Sequence, residues 1–210
     1  MIKPFDYQQR CVDEIIEKFK DKKSVVLQSD TGSGKTVMFS FLAKYWAENK
    51  KSKVLILCNR SELIEQSAET LVKIGLTYEK VIPRTKKLHN KANVYLCMVE
   101  TLYRRLLKNP RYLYDVGLII ADECHYMSFP KIYSFFNDVK ILGVTATPIL
   151  LGRDTFYRCA RCESDYKELG TCCGMETYEW SKPKKLSDTY EDIVVGPTID
   201  YLIEMGQLVK

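Results

Sequence analysis

Residues 24–36 read SVVLQSDTGSGKT: a short apolar run, a loop of glycine, serine and threonine, then a lysine and threonine that open a helical pattern. Each part has a physical use at such a junction. Gly32 and Gly34 let the backbone curl so that successive N–H groups aim at one anion, and the N-terminus of the next helix adds its positive end. Lys35 is placed to reach the outer phosphates of a nucleotide, and Thr36 to hold Mg2+. Thr31, Gly32, Ser33, Gly34, Lys35 and Thr36 therefore read as a phosphate cradle. Ser29 stands where the pattern G-x-x-x-x-G-K-[ST] has its first glycine. A chance Gly/Ser turn is the bland alternative, and GSGKT at a strand-to-helix junction disfavours it.

Strand and helix patterns alternate on both sides of this stretch. Residues 8–20 put Val12, Ile15, Ile16 and Phe19 on one helical face, and 24–28 read as a strand. A helix is expected over 35–48 and a strand over 53–58. The next helix, 61–73, has Leu63, Ile64, Ser67 and Leu71 on one side and Ser61 as its expected cap. A strand over 93–98, a helix over 100–108 stopped by Asn109–Pro110, and strands over 117–121 and 140–146 complete the series. Nearly continuous apolar strands between amphipathic helices predict an α/β fold. The expected domain covers residues 1–152 in three layers around a central, mainly parallel sheet, with right-handed crossovers and ligands at the C-terminal strand ends.

Hydrolysis at a phosphate loop needs an acidic element as well. The apolar run GLIIA (117–121) delivers Asp122 and Glu123 at its C-terminal end. Asp122 can hold Mg2+ through its water shell, and Glu123 can orient or deprotonate a water attacking the terminal phosphate. Either acid alone reads equally well as a strand-end charge or a helix cap. Together with Lys35 and Thr36, the pair reads as a hydrolytic site.

The 210 residues are 46% apolar and 28% charged with a formal charge of +5, the composition of a globular chain with one good core. No apolar leader opens the sequence, and its longest apolar runs, VLILC and GLIIA, are too short to span a bilayer. The expectation is a cytoplasmic protein, in host cytoplasm if the source is a phage. Lys and Arg gather in residues 50–53, 80–91, 104–111 and 182–185. On one face they would make a footprint for a polyanion; apart, they are solvated loops and helix ends. Cys11, Cys58, Cys97 and Cys124 fall inside helix and strand patterns and read as small buried hydrophobes.

In chain order, SDTGSGKT, ADECH and GVTATP resemble motifs I, II and III of superfamily 2 helicases and translocases of the DEAD/DEAH type. KPFDYQQ is similar to the Tyr-Gln segment that precedes the phosphate loop, and VLILCNRSELIEQ to motif Ia, here Arg60, Leu63 and Gln66. YLCMVETL resembles the segment carrying a strand-contacting threonine, here Thr101. IVVGPTIDYLIEMGQLV looks like the close of the first motor domain in restriction-enzyme-like and phage-type DNA helicases. The likeness covers residues from about 3 to 150. It implies the first of two RecA-like domains, with ATP and Mg2+ as cofactors and nucleic acid, DNA before RNA, as partner. It also implies Gln8 on the adenine edge, Lys35, Asp122 and Glu123 in hydrolysis, and His125 linking the ATP site to Thr145 and Thr147. Arg60 and Thr101 would grip backbone phosphates. Outside these motifs His125 would read as a satisfied surface or core residue, and Arg60 and Thr101 as cap or salt-bridge residues.

Such motors clasp ATP between two RecA-like domains, the second supplying arginine fingers. Only about 60 residues follow GVTATP, without a second strand–helix series. The expectation is a truncated motor ending at a linker after Gly206–Gln207–Leu208–Val209. It would hydrolyse ATP weakly, fail to unwind a duplex alone, and need a second RecA-like domain in cis or in trans. Within 153–187 the resemblance lapses at YRCARCESDYKELGTCCGMETYEWS (157–181). Cys159, Cys162, Cys172 and Cys173 there make a candidate tetrahedral Zn2+ site, although adjacent cysteines fit less well than a second C-x-x-C. Free thiols in a loop, or disulfides formed after purification, are the alternative. Residues 188–210 read as a closing helix leading to the linker. Two other functions stand beside the motor: a non-catalytic nucleic-acid-binding module and a non-motor P-loop phosphotransferase, the latter disfavoured by DECH, TAT and the Tyr-Gln segment.

Overall fold

The computed structural model describes residues 2–89, 91–126, 128–147, 153–183 and 185–206. Pro148 of GVTATP, the expected boundary at 152 and Gln207–Val209 of the expected linker lie outside the described residues. Seven strands form one all-parallel sheet: β1 (Ser24–Gln28), β2 (Lys53–Cys58), β3 (Tyr78–Val81), β4 (Val94–Met98), β5 (Val116–Asp122), β6 (Lys140–Thr145) and β12 (Asp192–Val195). Their order across the sheet is β12-β1-β6-β5-β2-β4-β3. From β1 the chain crosses to β2, goes out to the edge at β3, steps back to β4 between them, then returns to place β5 and β6 between β2 and β1.

Alternation along each strand divides the core in two. Val25, Leu27, Ile56 and Ile120 face α1 (Asp6–Lys18), α2 (Lys35–Asn49) and α3 (Ser61–Lys73), while Val26, Leu57 and Ile119 face α4 (Val99–Lys108) and α5 (Pro130–Tyr133). All seven of these side chains are essentially inaccessible. Burying each is worth about 1.5–3 kcal/mol, which is why a sheet covered on both faces needs near-continuous apolar strands. Cys11, Cys58, Cys97 and Cys124 are buried free thiols in these cores, as their positions predicted. Among the described residues no helix is long and apolar enough to cross a membrane.

Three features differ from the sequence reading. Ser61 is not the cap of α3: Arg60 takes the extended N-cap conformation without a side-chain cap, so the serine falls inside the first turn. The expected closing helix is a strand and a short helix, β12 and α6 (Ile199–Glu204), and β12 hydrogen-bonds alongside β1. Strand β3 was also not foreseen. Between β6 and β12 the chain builds β7 (Arg153–Arg158), β8 (Asp165–Tyr166), β9 (Thr171–Cys172), β10 (Met175–Glu176) and β11 (Tyr178–Pro183). These pair as an antiparallel sheet of order β11-β7-β8 and a separate β9–β10 hairpin.

The middle of β6 has no room for a side chain. A Cβ on Gly143 would lie 2.6 Å from Tyr190 Cζ and 2.8 Å from Cys124 Sγ, and both neighbours are buried. Gly143→Ala is therefore expected to cost about 1–3 kcal/mol and to lower the melting temperature by about 5 °C, read by thermal denaturation. An unchanged melting curve would mean that the Tyr190 ring yields freely.

Candidate functional site

Strand β1 ends at Gln28, and the chain turns through Ser29–Gly34 into α2. Gly32 (φ 88°) and Gly34 (φ 78°) occupy the left-handed region that the loop requires. The lysine ammonium folds back over the loop, with Lys35 Nζ donating to the carbonyls of Ser29 (3.2 Å) and Asp30 (3.3 Å). Helix α1 locks the loop from below: Tyr7 Oη and Gln8 Nε2 both donate to the Ser33 carbonyl, at 3.1 and 3.3 Å. Gln8 Oε1 in turn accepts from the Phe5 N–H at 3.0 Å, so this buried amide is tied to both segments. A Cβ at Gly34 would sit 2.3 Å from Gln8 Nε2.

The serine in place of the loop's first glycine has a structural answer. Ser29 Oγ donates to Ser33 Oγ at 2.7 Å inside the loop. Its side chain lies against Gly196, just past β12, where a Cβ would come within 2.4 Å of Ser29 Oγ. The missing glycine is thus matched by one just past the neighbouring strand. The same closing segment reaches the loop again through the Ile199 N–H, which donates to Asp30 Oδ2 at 3.1 Å. Its residues are more than 160 positions away in sequence, so no local pattern announces these contacts.

Asp122 closes β5 and pairs in register with Val144 of β6, while Thr145 pairs with Gln28 of β1. The loop, the acidic pair and the TAT stretch therefore emerge side by side. Asp122 is buried, and burial first, then the charge of Glu123, pushes its carboxyl up to about 6 from an ordinary 3.8, against the pull of Lys35. Glu123 turns the chain back with a left-handed backbone (φ 56°), and the Cys124 N–H returns to the Val144 carbonyl at 2.9 Å. A non-glycine residue in that region is strain held at a site, typically about 1–3 kcal/mol.

His125 Nδ1 lies 2.9 Å from Thr145 Oγ1 and 3.3 Å from Glu123 Oε2. Thr145 donates its only hydroxyl proton to the Thr147 carbonyl (2.9 Å) and accepts from the Thr147 N–H (3.0 Å). The Nδ1 proton of His125 is therefore assigned as the donor to Thr145, from the network. The next residues point the other way along the sheet edge. Tyr126 Oη accepts from Arg60 Nη2 at 3.4 Å, and Ser128 Oγ donates to Asn59 Oδ1 at 2.7 Å. Residues 122–126 and Ser128 thus contact the end of β6 on one side and the end of β2 on the other. Tyr126, Asn59 and Ser128 were not singled out by sequence.

Arg60 follows β2 and Thr101 lies in the first turn after β4, and these strands are neighbours. The four basic runs do not share one face. Residues 50–53 lead into the start of β2 and 108–111 precede β5, both at the opposite edge, whereas 82–87 follow β3 at the same edge as Arg60. Arg105, read as part of a basic run, is structural: it donates to the Ile82 and Thr85 carbonyls and stacks near Tyr112. It thereby holds a loop that exposes Arg84, Lys86 and Lys87. The four clustered cysteines of the insert come together between β7 and β10, with all four sulfurs within 4.8 Å of one another.

A family model described as "Type III restriction enzyme, res subunit" matches residues 1–150. A Lactococcus phage protein described as "51.5 kDa protein" is 29% identical over 187 residues, covering 87% of this chain and 30% of its own length. The "ATP-dependent DNA helicase uvsW" of Enterobacteria phage T4 is 26% identical, covering 66% of this chain and 28% of its own. Other relatives carry names of RNA helicases. The solved structure of a nuclease-deletion mutant of the restriction-modification enzyme LlaGI covers 98% of this chain and 21% of its own at 17% identity, with a TM-score of 0.65, a likeness of fold. The chain thus spans less than a third of each of these proteins.

Raised proton affinity at Asp122 has a sign for stability. The folded chain binds this proton more tightly than the unfolded one, so the penalty is absent below about pH 4, grows between pH 4 and 6, and is full above pH 6. Its size at neutral pH is about 3 kcal/mol. In buffer without metal or nucleotide, Asp122→Asn is expected to raise the melting temperature at pH 7.5 by about 5 °C, with the gain shrinking towards pH 5. An equal gain at both pH values would show that the carboxylate charge is not the cause.

Proposed function

The chain belongs to the family of the type III restriction enzyme res subunit, and from that premise we propose that it is the ATP-hydrolysing first motor domain of a superfamily 2 helicase or translocase that tracks along nucleic acid, DNA by preference. The observation that carries the proposal is the meeting of three chain segments at one sheet edge: the Lys35 loop after β1, Asp122–Glu123 after β5, and Thr145 at the end of β6, joined by His125 at 2.9 Å. The "DNA helicase" name of the T4 relative supports the choice of track.

In this reading the loop N–H groups and the start of α2 hold the phosphates, and Lys35 turns its ammonium from the Ser29 and Asp30 carbonyls to the outer ones. The base lies in the groove lined by Tyr7, Arg10, Gly196, Thr198 and Tyr201, with Gln8 joining it to the loop through Ser33. Thr36 and Asp122 offer the hard oxygen donors that Mg2+ takes, and a buried carboxyl crowded by Glu123 is one a cation would relieve. When bound, the ion supplies charge neutralisation at the phosphates. Glu123 takes the proton of the attacking water. His125 and Thr145 sense which state the site is in, and Tyr126 and Ser128 carry it to Arg60 and Asn59. Arg60, Thr101 and the loop with Arg84, Lys86 and Lys87 then hold the strand by its phosphates. A second RecA-like domain, in cis or in trans, completes the site, so this chain alone turns over ATP slowly and does not unwind.

ATP turnover is measured with single-stranded DNA, duplex DNA and RNA. The expected result is slow hydrolysis stimulated by one polymer, lost by 100-fold or more in Lys35→Ala, with Glu123→Gln still binding nucleotide but about 100-fold slower. No Lys35-dependent turnover and no Lys35-dependent nucleotide binding would sink the motor reading. Polymer affinity should fall about tenfold in Arg60→Ala, with the dependence of log affinity on log salt shallower by about one. An unchanged salt slope would remove Arg60 from the interface.

A further inference from the structure

Residues 159–177 fold without anything to fold around. Only Cys159 and Thr177 in this stretch are buried, and its large apolar side chains are exposed, Leu169 by 69% and Met175 by 47%. Yet the backbone is ordered into β8, the β9–β10 hairpin and two tight turns. Fixing each residue's backbone costs about 1–2 kcal/mol, and no apolar burial here offsets it. Segments of this kind are held by a cross-link or a metal.

The two turns bring the four thiols to one point. In the first, Cys159-Ala-Arg-Cys162, the Glu163 N–H donates to the Cys159 carbonyl at 2.9 Å and the Cys159 N–H to the Ser164 carbonyl at 3.1 Å, with Glu163 left-handed (φ 57°). In the second, Cys173 and Gly174 form the two-residue hairpin turn between β9 and β10, both with positive φ (54° and 75°). That conformation answers the objection to adjacent ligands. Cys172 is the last paired residue and Cys173 the first of the turn, so the left-handed backbone brings their sulfurs to the same side, 3.7 Å apart.

Cys162 and Cys172 sulfurs lie 3.6 Å apart, and all four fall within 4.8 Å of one another. Sulfurs on a tetrahedron with metal bonds of about 2.3 Å stand about 3.8 Å apart. All four cysteines are free. Outer partners are present as well: Tyr166 Oη is 2.9 Å from Cys172 Sγ and Ser164 Oγ is 3.4 Å from Cys162 Sγ, hydroxyls placed to donate to thiolates. The platform beneath is braced by Arg158, which pairs with Asp165 at 2.8 Å and stacks over Trp180 at 3.9 Å.

We propose that Cys159, Cys162, Cys172 and Cys173 bind one structural Zn2+ as a closed four-thiolate site, and that this ion is what folds residues 159–177. Four oxygen-free soft ligands with no open position suit a structural rather than a catalytic zinc, and binding releases the thiol protons. The site shares no residue with the Lys35–Asp122 edge and does not depend on the motor reading.

The test is metal analysis of the 210-residue chain produced in zinc-supplemented medium and purified under reducing conditions. About one zinc per chain is expected, falling at least fivefold in Cys162→Ser and in Cys173→Ser. Because a variant could misfold, the unaltered chain is also refolded with Co2+, where a tetrahedral thiolate site gives intense ligand-field bands that zinc bleaches. Chelation should then open Arg161 and Lys167 to trypsin while residues 24–145 stay resistant. Reduced, folded protein with negligible zinc and no cobalt bands overturns the proposal, as does iron in place of zinc or zinc content unaffected by the two serine variants.

Discussion

Parallel pairing of β1 with β6 and of β6 with β5 sets the position of every group at the candidate site. In a parallel sheet each strand must be left through its C-terminal end at the same edge, so the loops that follow three neighbouring strands have no choice but to meet. The register then decides which residues face each other: Gln28 beside Thr145, and Val144 beside Asp122. A loop of backbone donors, a lysine, two carboxylates and a histidine–threonine bridge are assembled by strands whose interiors contain only Val, Leu, Ile, Gly and Ala.

That rigid base carries features that would be costly elsewhere. Asp122 keeps a carboxylate almost wholly buried, Glu123 holds a left-handed backbone, and Gln8 beneath the loop leaves Gly34 no room for a methyl group. Each lies within a residue or two of a strand end or a helix start. Distortions persist where the surrounding structure over-determines them, and here the determination comes from two apolar cores, one on each face of the sheet.

The interior of this fold was legible in the sequence and its margins were not. β1, β2, β4, β5 and β6 each lie between two other strands and are covered on both faces, so their apolar runs stand out. The two strands of the parallel sheet that were missed, β3 and β12, are its two edges. With a single partner each, they keep charged residues such as Glu79, Lys80 and Asp192 and break no composition rule of a loop. The site divides in the same way. Lys35, Asp122, Glu123 and His125 sit in compact motifs and fall where the spacing put them. Gly196 against Ser29, Ile199 on Asp30 and Tyr126 on Arg60 join residues far apart in sequence, and only the three-dimensional pairing reveals them.

The position of β1 also fixes when the Lys35 loop can take its shape during synthesis. Val25 pairs with Leu142 on one side and Asp192 on the other, so neither neighbour of this strand is local. A ribosome adding about 5–20 residues per second makes β1 and its loop roughly ten seconds before β6 emerges to pair with it. For that interval SVVLQ is an apolar strand with two open edges, and the loop beyond it has neither the carbonyl of Thr145 nor Gly196 to lean on. Although it precedes β6 and β12 in the chain, the Lys35 loop is among the last parts to take shape. Before then, the nascent chain exposes an apolar strand whose edges are open to pairing with other chains.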